Sequence, residues 1–260
     1  IDNRGGARPL LGAHAVAKSA ADGYTLLFSS AGALAIVPHI APSMPYNPQK
    51  DLVAVTQALK VPAVLVVAAD SRFKTFADLK AAATGDASKI NYASAGSGTT
   101  PHLQAELLKR EARLNINHIP YRGAAPALTD LMGGQVDMMM VDIPVALPFI
   151  QSGKLRALAV TSAVRIPVLK EVPTVGELGM PKVEAYNWYG MLAPARTPAE
   201  VIDRMYGAVG AALRSPDLKQ QFEQQGVQVV GSKPAEFGLF ISAESERWGS
   251  LAKAVGAKLD

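Results

Sequence analysis

The chain alternates short apolar runs with amphipathic stretches, which is the pattern of strands followed by helices. One central stretch shows it clearly, with apolar residues at Ile90, Tyr92 and Ala93, small residues over 94–98, and leucines at helical spacing over 103–108. Thr100 and Pro101 are typical of a helix start, where a hydroxyl cap precedes proline at the first helical position. This stretch therefore predicts a strand, a loop and a helix.

The same order of elements recurs after this stretch. Strands are predicted over 116–120, 136–141 and 155–161, with helices over 126–132 and 144–152 between them. Consecutive strand–loop–helix units imply parallel strands with right-handed crossovers. Their loops emerge at the carboxyl edge of the sheet, which is where such sheets bind ligands.

The rest of the chain gives less regular signals. A glycine-rich turn is predicted over 3–6, and prolines between positions 38 and 48 predict an irregular segment. Further strands are predicted over 24–28, 52–59, 63–69, 187–193 and 227–230, and further helices over 12–20 and 75–83 and from Pro198, Pro216 and Pro234. Thr197 and Glu200 have the spacing of a capping box.

The amino-acid composition limits the possible functions of the chain. At 260 residues and 49% hydrophobic content, the chain can form one or two globular domains. Its 26 basic and 22 acidic residues give a net charge of +4 without a basic stripe, which favours anionic small molecules over nucleic acid. The absence of cysteine excludes disulfides, thiolate nucleophiles and cysteine metal sites. No apolar run is long enough to span a bilayer.

The loop over 94–98 is a candidate anion site. Its small and hydroxyl-bearing residues lead into a helix N-terminus, where backbone N–H groups lack intrahelical acceptors and the helix dipole favours negative charge. We interpret this loop as a seat for a carboxylate. The alternative is that Gly96 and Gly98 only supply a tight turn.

Familiar catalytic motifs are missing. A dinucleotide fingerprint would place its third glycine at position 101, which is Pro101, and no acidic residue ends the next strand. The chain has no phosphate-binding G-x-x-x-x-G-K, no H-E-x-x-H, and no G-x-S-x-G, since Ala95 precedes Gly96 and Ser97. Neither a catalytic trio nor a metal site is predicted.

Several polar and aromatic residues allow two interpretations each. Asp142, at the end of a predicted strand, either orients a hydroxyl, amine or water on a ligand or stabilises the helix that follows it. His102 either donates to a ligand or bonds to backbone. Arg122 either neutralises a second carboxylate or is a solvated charge. Trp188 and Tyr189 either stack on a ligand or on the hinge, or pack in the core.

Collinear motifs along the whole chain carry a family resemblance. They are Asp22–Leu27, Asn91–Ser94, Gly96–Thr99, His102–Leu103, Pro120–Gly123, Ala125–Leu131, Gly134–Asp137, Gly153–Thr161, Val172–Val175, Trp188–Gly190 and Ala193–Pro194. In these motifs the chain resembles the substrate-binding receptors of tripartite tricarboxylate transporters, also called the Bug family. The resemblance implies an α/β, two-lobed type II periplasmic-binding-protein fold, a Venus flytrap, with a mainly parallel sheet flanked by helices in each lobe.

The resemblance also implies an architecture and a binding site. Residues 1–64 with 188–260 would form one lobe and residues 65–187 the other. The ligand would lie between the lobes, without cofactor, metal or catalysis, in a monomeric periplasmic receptor that delivers it to transporter membrane subunits. The implied ligand-binding residues are Ser94, Gly96, Ser97, Gly98, Thr99 and Thr100, with Tyr121, Gly123 and Asp142 beside them and Ser30 and Ala31 from the first lobe.

The chain departs from the family pattern in two places. Family members usually begin with a further strand, loop and helix before the position of Ile1, and the chain has no initiator Met, so we expect it to start inside a longer precursor. Arg8 and Pro9 stand where the family loop tends to be glycine-rich, and we hypothesise that Arg8 adds a cationic contact or closes the entrance.

Ligand identity and two rival functions stay open at this point. Dicarboxylates, tricarboxylates, acidic amino acids and aromatic acids all suit a seat built from amides. One rival is an extracytoplasmic sensor subunit that signals ligand occupancy to a protein partner. The other is an enzyme built on a similar two-lobed fold.

Overall fold

The computed structural model describes residue 2, residues 10–84 and residues 90–259. The turn predicted over 3–6, and Arg8 with its proposed contact, lie outside the described residues. The strands are β1 (Leu27–Ser30), β2 (Leu52–Ala68), β3 (Ile90–Ser94), β4 (Ile116–Pro120), β5 (Met138–Asp142), β6 (Leu155–Val160), β7 (Tyr186–Pro194) and β8 (Gln228–Val229).

Ten α-helical segments accompany these strands in the described part of the chain. They are α1 (Leu10–Ala17), α2 (Val37–Ile40), α3 (Pro48–Asp51), α4 (Phe76–Ala83), α5 (Thr100–Ala112), α6 (Ala124–Met132), α7 (Ile143–Gln151), α8 (Ala199–Leu213), α9 (Pro216–Gln224) and α10 (Pro234–Ala254). A π-helical segment, Gly32–Ile36, leads into α2, and two short 3₁₀ turns cover Pro167–Leu169 and Pro181–Val183.

The chain divides into two compact units. Unit 1 consists of Ile1–Lys60, Trp188–Glu223 and Gln228–Leu259, and unit 2 of Val61–Asn187 with Gln224–Val227. Strands β2 and β7 each begin in one unit and end in the other.

Unit 2 is built on a five-stranded sheet in the order β6-β2-β5-β3-β4. β3 runs parallel to β4 and β5, and β2 runs antiparallel to both β5 and β6. Four of the five strands therefore share one direction, as the repeated strand–loop–helix pattern predicts.

Helices cover both faces of this sheet, because successive residues of a strand point to opposite faces. Leu65 on β2 and Met140 on β5 belong to a core with α4 and α5, whereas their neighbours Val66 and Met139 belong to a second core with α6 and α7. Burial on both faces explains the nearly continuous apolar runs of β2 and β5.

The strand pairs described in unit 1 are antiparallel. β1 pairs with β7, with Leu27 opposite Leu192, and β8 pairs with the first half of β2. α10 contributes the core residues Phe237 and Trp248, which are both fully buried. Trp188 is fully buried too and meets the Phe237 ring edge-on at 5.5 Å between centroids, so core packing is its role.

A buried carboxylate accepts hydrogen bonds from two tryptophans of unit 1. The indole Nε1 atoms of Trp188 and Trp248 both donate to Glu244 Oε2, at 3.1 and 2.8 Å. Glu244 Oε1 also lies 3.4 Å from Arg247 Nη1, so its charge is balanced although its side chain is only 10% exposed.

Two predicted interruptions are wrong. The break expected at Pro62 is absent, and β2 continues through it, because its ladder with β8 ends at Lys60 and its ladders with β5 and β6 begin at Ala63 and Val64. Proline is tolerated in a strand where no ladder hydrogen bond requires its N–H. The segment expected to be irregular contains α2, with Pro38 in its first turn, where a missing N–H costs nothing.

Two further predictions, one of a strand and one of a helix cap, are also wrong. The strand expected over 24–28 lies instead at Leu27–Ser30, and Tyr24 is 93% exposed. The capping box expected at Thr197 does not form, since Pro198 occupies the cap position of α8 without a side-chain hydrogen bond.

Candidate functional site

Three helices begin at the same edge of the unit 2 sheet. β4, β3 and β5 are adjacent parallel strands, and they are followed by α6, α5 and α7 respectively. Because the strands share a direction, all three helix N-termini lie at the carboxyl edge of the sheet. Each N-terminus carries partial positive charge from the aligned peptide dipoles. This edge is therefore suited to an anion.

Glycines shape two of the connecting loops. Gly96 and Gly98, between β3 and α5, have φ of +128° and +81°, and Gly123, the cap residue of α6, has φ of +114°. A side chain strains the backbone in this region. A Cβ on Gly96 would also approach the Tyr121 carbonyl oxygen to 3.4 Å. These glycines make the turns without adding side chains immediately before the two helices.

The loop between β3 and α5 is held by its own hydrogen bonds. Gly96 N–H donates to Ser94 Oγ at 3.2 Å, Gly98 N–H to His102 Nδ1 at 3.3 Å, and Thr99 N–H to the Gly96 carbonyl at 3.3 Å. These three N–H groups are therefore paired within the loop, which precedes the helix start where unpaired N–H groups are predicted. Internal bonding fixes the loop conformation in advance, which lowers the cost of ordering it around a ligand.

Two stacked histidines support this loop. The His102 ring lies 4.2 Å from the His118 ring, which in turn stacks on Tyr92 at 4.8 Å. His118 Nε2 is 2.7 Å from Ser94 Oγ. Since Gly98 N–H donates to His102 Nδ1, that nitrogen acts as an acceptor and carries no proton. His102 therefore contacts backbone, which is one of its two predicted roles.

Tyr92 anchors the far side of the stack. Its hydroxyl donates to Glu106 on α5, and Glu106 lies 3.7 Å from Lys109. Burial, reinforced by the bond to Glu106, raises the pKa of the Tyr92 hydroxyl well above its usual value. The Tyr92 hydroxyl therefore stays a neutral hydrogen-bond donor to α5.

A second polar network connects α5 and α7. Thr100 Oγ1 donates to Asn187 Oδ1 at 3.0 Å, and Asn187 Nδ2 donates to Asp142 Oδ2 at 2.8 Å. Thr100 and Asn187 are 2% and 5% exposed. Asp142 occupies the cap position of α7, where a carboxylate also interacts favourably with the helix dipole. Sequence reasoning missed Asn187, although a polar residue at the start of an apolar strand was a visible signal.

The other predicted site residues occupy different surroundings. Tyr121 N–H donates to the Ser94 carbonyl at 3.0 Å, so the backbone of this residue lies at the sheet edge. Its hydroxyl donates to Asp130 on α6 at 2.7 Å, and that bond raises the pKa of Tyr121. Ser30 ends β1 in unit 1 opposite Tyr189, and Ala31 beside it is fully buried.

An open cavity of about 580 Å³ lies elsewhere, in unit 1. None of the sequence-predicted site residues lines it. His39 Nε2 is 2.8 Å from Ser245 Oγ at its wall, and desolvation together with the charge of Lys253 lowers the pKa of His39. Among the described contacts no carboxylate orients this imidazole, so the pair is not a catalytic triad.

Metal chemistry finds no support in the described ranges 10–84 and 90–259, where no group of three or more His, Asp or Glu side chains is arranged to hold an ion. The same ranges contain no helix of the length and apolar character needed to cross a membrane.

Comparison with known proteins decides the family. Residues 1–257 match the sequence model of the tripartite tricarboxylate transporter family receptor. The chain belongs to this receptor family. Protein BugT of Bordetella pertussis is 38% identical over 260 residues, which cover 100% of this chain and 80% of BugT. The sequence resemblance to the Bug family is thereby confirmed.

Solved structures agree with this assignment. An R. palustris protein solved with adipate is 33% identical and has a TM-score of 0.92, covering 99% of this chain and 86% of its own. MatC from Rhodopseudomonas palustris, solved with bound malate, is 28% identical with a TM-score of 0.83, covering 93% and 83%. The predicted α/β fold of a periplasmic binding protein is confirmed.

Proposed function

We propose that this receptor-family chain binds a small carboxylate at the carboxyl edge of the unit 2 sheet and delivers it to the membrane subunits of a tripartite-type transporter. The observation that carries the proposal is the convergence of three helix N-termini, those of α5, α6 and α7, at one sheet edge. A carboxylate accepts hydrogen bonds and carries negative charge, which is what this edge favours.

The loop chemistry supports a carboxylate over larger anions. The proposed seat lies within unit 2 and consists of Ser94, Gly96, Ser97, Gly98, Thr99 and Thr100, with Tyr121, Gly123 and Asp142 beside it. The glycines carry no side chains, so a ligand can approach the backbone closely. Residues 94–100 themselves include no lysine or arginine, and the nearest cation in the sequence of the site is Arg122, between Tyr121 and Gly123.

Relatives support the ligand class. Adipate and malate are both carboxylates, and each is bound by a protein that shares this fold. A net charge of +4 also favours anionic ligands. Periplasmic location, a monomeric state, transport without catalysis and independence of a cofactor complete the proposal, because all four accompany a receptor role.

A thermal-shift panel of carboxylates with matched primary amides tests the proposal. A ligand at a hundred times its dissociation constant stabilises the folded state by about 2.7 kcal/mol. We expect at least one carboxylate to raise the melting temperature while its amide counterpart does not. Equal shifts for acid and amide, or a flat panel with circular dichroism of a folded α/β protein, would contradict carboxylate binding.

A further inference from the structure

Another cavity of unit 1 lies between the starts of two helices. Its volume is about 520 Å³, within the range of roughly 300–1,000 Å³ typical of small-molecule sites. It is lined by Ala199, the first residue of α8, and by Pro234 and Ala235, the first two residues of α10. These helices contain 15 and 21 residues, so both starts carry partial positive charge from the aligned peptide dipoles.

Backbone donors at the two starts have no acceptor in the described part of the chain. N–H groups in the first turn of a helix lack intrahelical acceptors, and neither Ala199 nor Ala235 donates to a described residue. Pro198, at the cap position of α8, provides no side-chain hydrogen bond. Both alanines are exposed, so a ligand can reach them. The two starts therefore favour an anionic ligand group.

Thr197, two residues before α8, independently indicates a ligand acceptor in this cavity. It lines the cavity and is 8% exposed, and its Oγ1 has no hydrogen-bond partner among the described residues. A buried hydroxyl without a partner destabilises the fold, because it has lost its hydrogen bonds to water. A ligand oxygen that accepts from this hydroxyl would remove that penalty. The hydroxyl and the helix starts thus favour the same ligand group, a carboxylate.

Asp203 favours the opposite charge at another point of the same cavity. It is exposed, one turn further along α8, and it forms no hydrogen bond or ion pair with a described residue. Glu200 and Glu236, in the first turns of the two helices, do not line the cavity. A carboxylate only accepts hydrogen bonds, so Asp203 favours an ammonium group on the ligand.

The floor of the cavity is apolar. Leu52 and Ala54 on β2 and Ile202 on α8 are buried side chains that line it. An apolar ligand group placed on them would leave water, which favours binding. The cavity therefore combines places for a carboxylate, an ammonium group and an apolar side chain.

We propose that this cavity binds a free α-amino acid with an apolar side chain. The carboxylate lies at the two helix starts and Thr197, the ammonium group faces Asp203, and the side chain covers the floor. All of the lining residues belong to unit 1, whereas the carboxylate seat proposed above lies in unit 2. The inference adds a second ligand and does not rest on the proposed function.

Titration calorimetry with L-leucine and two analogues tests the inference. The analogues keep the branched apolar end, but 4-methylpentanoate lacks the ammonium group and 3-methylbutylamine lacks the carboxylate. Each analogue leaves one set of polar groups in the cavity unpaired. We expect leucine to bind the unmodified chain at least about tenfold more tightly than either analogue.

Two glycine substitutions locate the site. Gly238 on α10 lines the cavity and Gly207 on α8 does not, and a Cβ on either would meet no atom within 4 Å. Leucine is favoured over glycine inside helices, so both variants are expected to fold. We expect Gly238→Leu to fill the cavity and weaken leucine binding by about tenfold or more, and Gly207→Leu to leave it unchanged.

A charge substitution tests the orientation of the ligand. Asp203→Asn should weaken leucine binding by about tenfold but change 4-methylpentanoate binding by less than about twofold, because the analogue has no ammonium group. Asp217→Asn, at an exposed position in the first turn of α9, is the matched control and should change neither.

Several results would overturn the inference. They are no leucine binding to the unmodified chain, equal affinities for the three probes, leucine binding that survives Gly238→Leu, or an equal effect of Asp203→Asn on leucine and 4-methylpentanoate. Leucine binding that is lost in Gly98→Ala but kept in Gly238→Leu would place the amino acid at the unit 2 edge, which also overturns it. Failure of the carboxylate panel with leucine binding intact would instead overturn the proposed function alone.

Discussion

Gly190 on β7 stands where a side chain has no room. A Cβ there would lie 2.2 Å from Phe237 Cζ and 2.8 Å from the Thr56 carbonyl oxygen. The aromatic ring and the backbone would both have to move, and such overpacking typically costs 1–3 kcal/mol. We predict that Gly190→Ala lowers the free energy of unfolding by about 2 kcal/mol or more in urea titrations.

Gly207→Ala is the control for this substitution. Gly207 lies within α8, and a Cβ there would meet no atom within 4 Å. Alanine is favoured over glycine inside helices by about 0.5–1 kcal/mol, so this variant should be slightly more stable. If Gly190→Ala matched it, the close packing of β7 against α10 would be refuted.

Gln104 on α5 has a buried side-chain amide that lowers the stability of the fold. Its side chain is fully buried, and neither its oxygen nor its nitrogen has a hydrogen-bond partner among the described residues. Leaving buried polar atoms unpaired typically costs 1–3 kcal/mol. We predict that Gln104→Met, which keeps the length without the polar atoms, raises the free energy of unfolding by about 1 kcal/mol. A lower value in urea titrations would contradict this reading of the site.

At the scale of single elements, α4 shows how a local signal determines a helix start. Thr75 Oγ1 accepts from Asp78 N–H at 3.2 Å, and Asp78 Oδ2 accepts from Thr75 N–H at 2.8 Å. Loss of such a cap typically costs about 1 kcal/mol. We predict that Thr75→Ala lowers the free energy of unfolding by about 1 kcal/mol, measured by chemical denaturation. Thr84→Ala, at the exposed C-terminal end of the same helix, should change stability by less than half as much.

The strands and helices that the sequence predicts correctly are those whose start signal and periodicity both lie within the element itself. The β4 bounds and the start of α10 at Pro234 match the sequence prediction, because the alternation of β4 and the proline start of α10 both lie within the segment. The order of β3, its glycine loop and α5 was predictable for the same reason. Thr197 carried an equally good cap signal that the structure does not use.

Features that depend on distant residues were not predictable. β2 passes through Pro62 because its partner strands change there, and those strands come from positions near 140, 160 and 229. The side chains of Asn187 and Thr100 form a hydrogen bond although they are 87 positions apart in the sequence, and those of Ser94 and His118 do so at a separation of 24 positions. Periodicity and capping contain no information about such pairs, so the polar networks of the candidate site are not predictable from local sequence.

At the scale of the whole molecule, acid should weaken the fold. Bonds from Arg165 and from the Thr174 N–H lower the pKa of Glu177, and bonds from Thr75 and Lys74 lower the pKa of Asp78. A carboxyl group whose pKa is lower in the folded state contributes stability above its unfolded pKa and loses it as pH falls through the folded value. We predict that the free energy of unfolding decreases as pH falls below about 4.5.

Glu177→Gln should make this pH dependence shallower, because the amide does not titrate. Glu223→Gln is the matched control, since Glu223 is exposed on α9 and lies 3.9 Å from Lys219. Urea titrations at pH 7, 5 and 4 measure both variants. An unchanged slope in Glu177→Gln would show that its bonds to Arg165 and Thr174 do not stabilise the fold in solution.

Two compact units, a receptor-family sequence and a sheet edge with three helix N-termini are consistent with one function, the capture of a small carboxylate. We propose that the glycine loop between β3 and α5 is part of the binding site, whereas Gly134, another glycine of unit 2 with positive φ, only shapes a turn. Gly98 and Gly134 make the comparison direct, since their φ values are +81° and +70°.

The most direct test is titration calorimetry of a carboxylate ligand against Gly98→Ala and Gly134→Ala. Both substitutions introduce similar backbone strain, but Gly98 precedes α5 at the proposed seat and Gly134 follows α6 at its opposite end. We predict that Gly98→Ala weakens binding by about tenfold or more, since a displaced loop misaligns the donors, and that Gly134→Ala leaves affinity unchanged. Equal affinities in the two folded variants would place the ligand elsewhere and contradict the account.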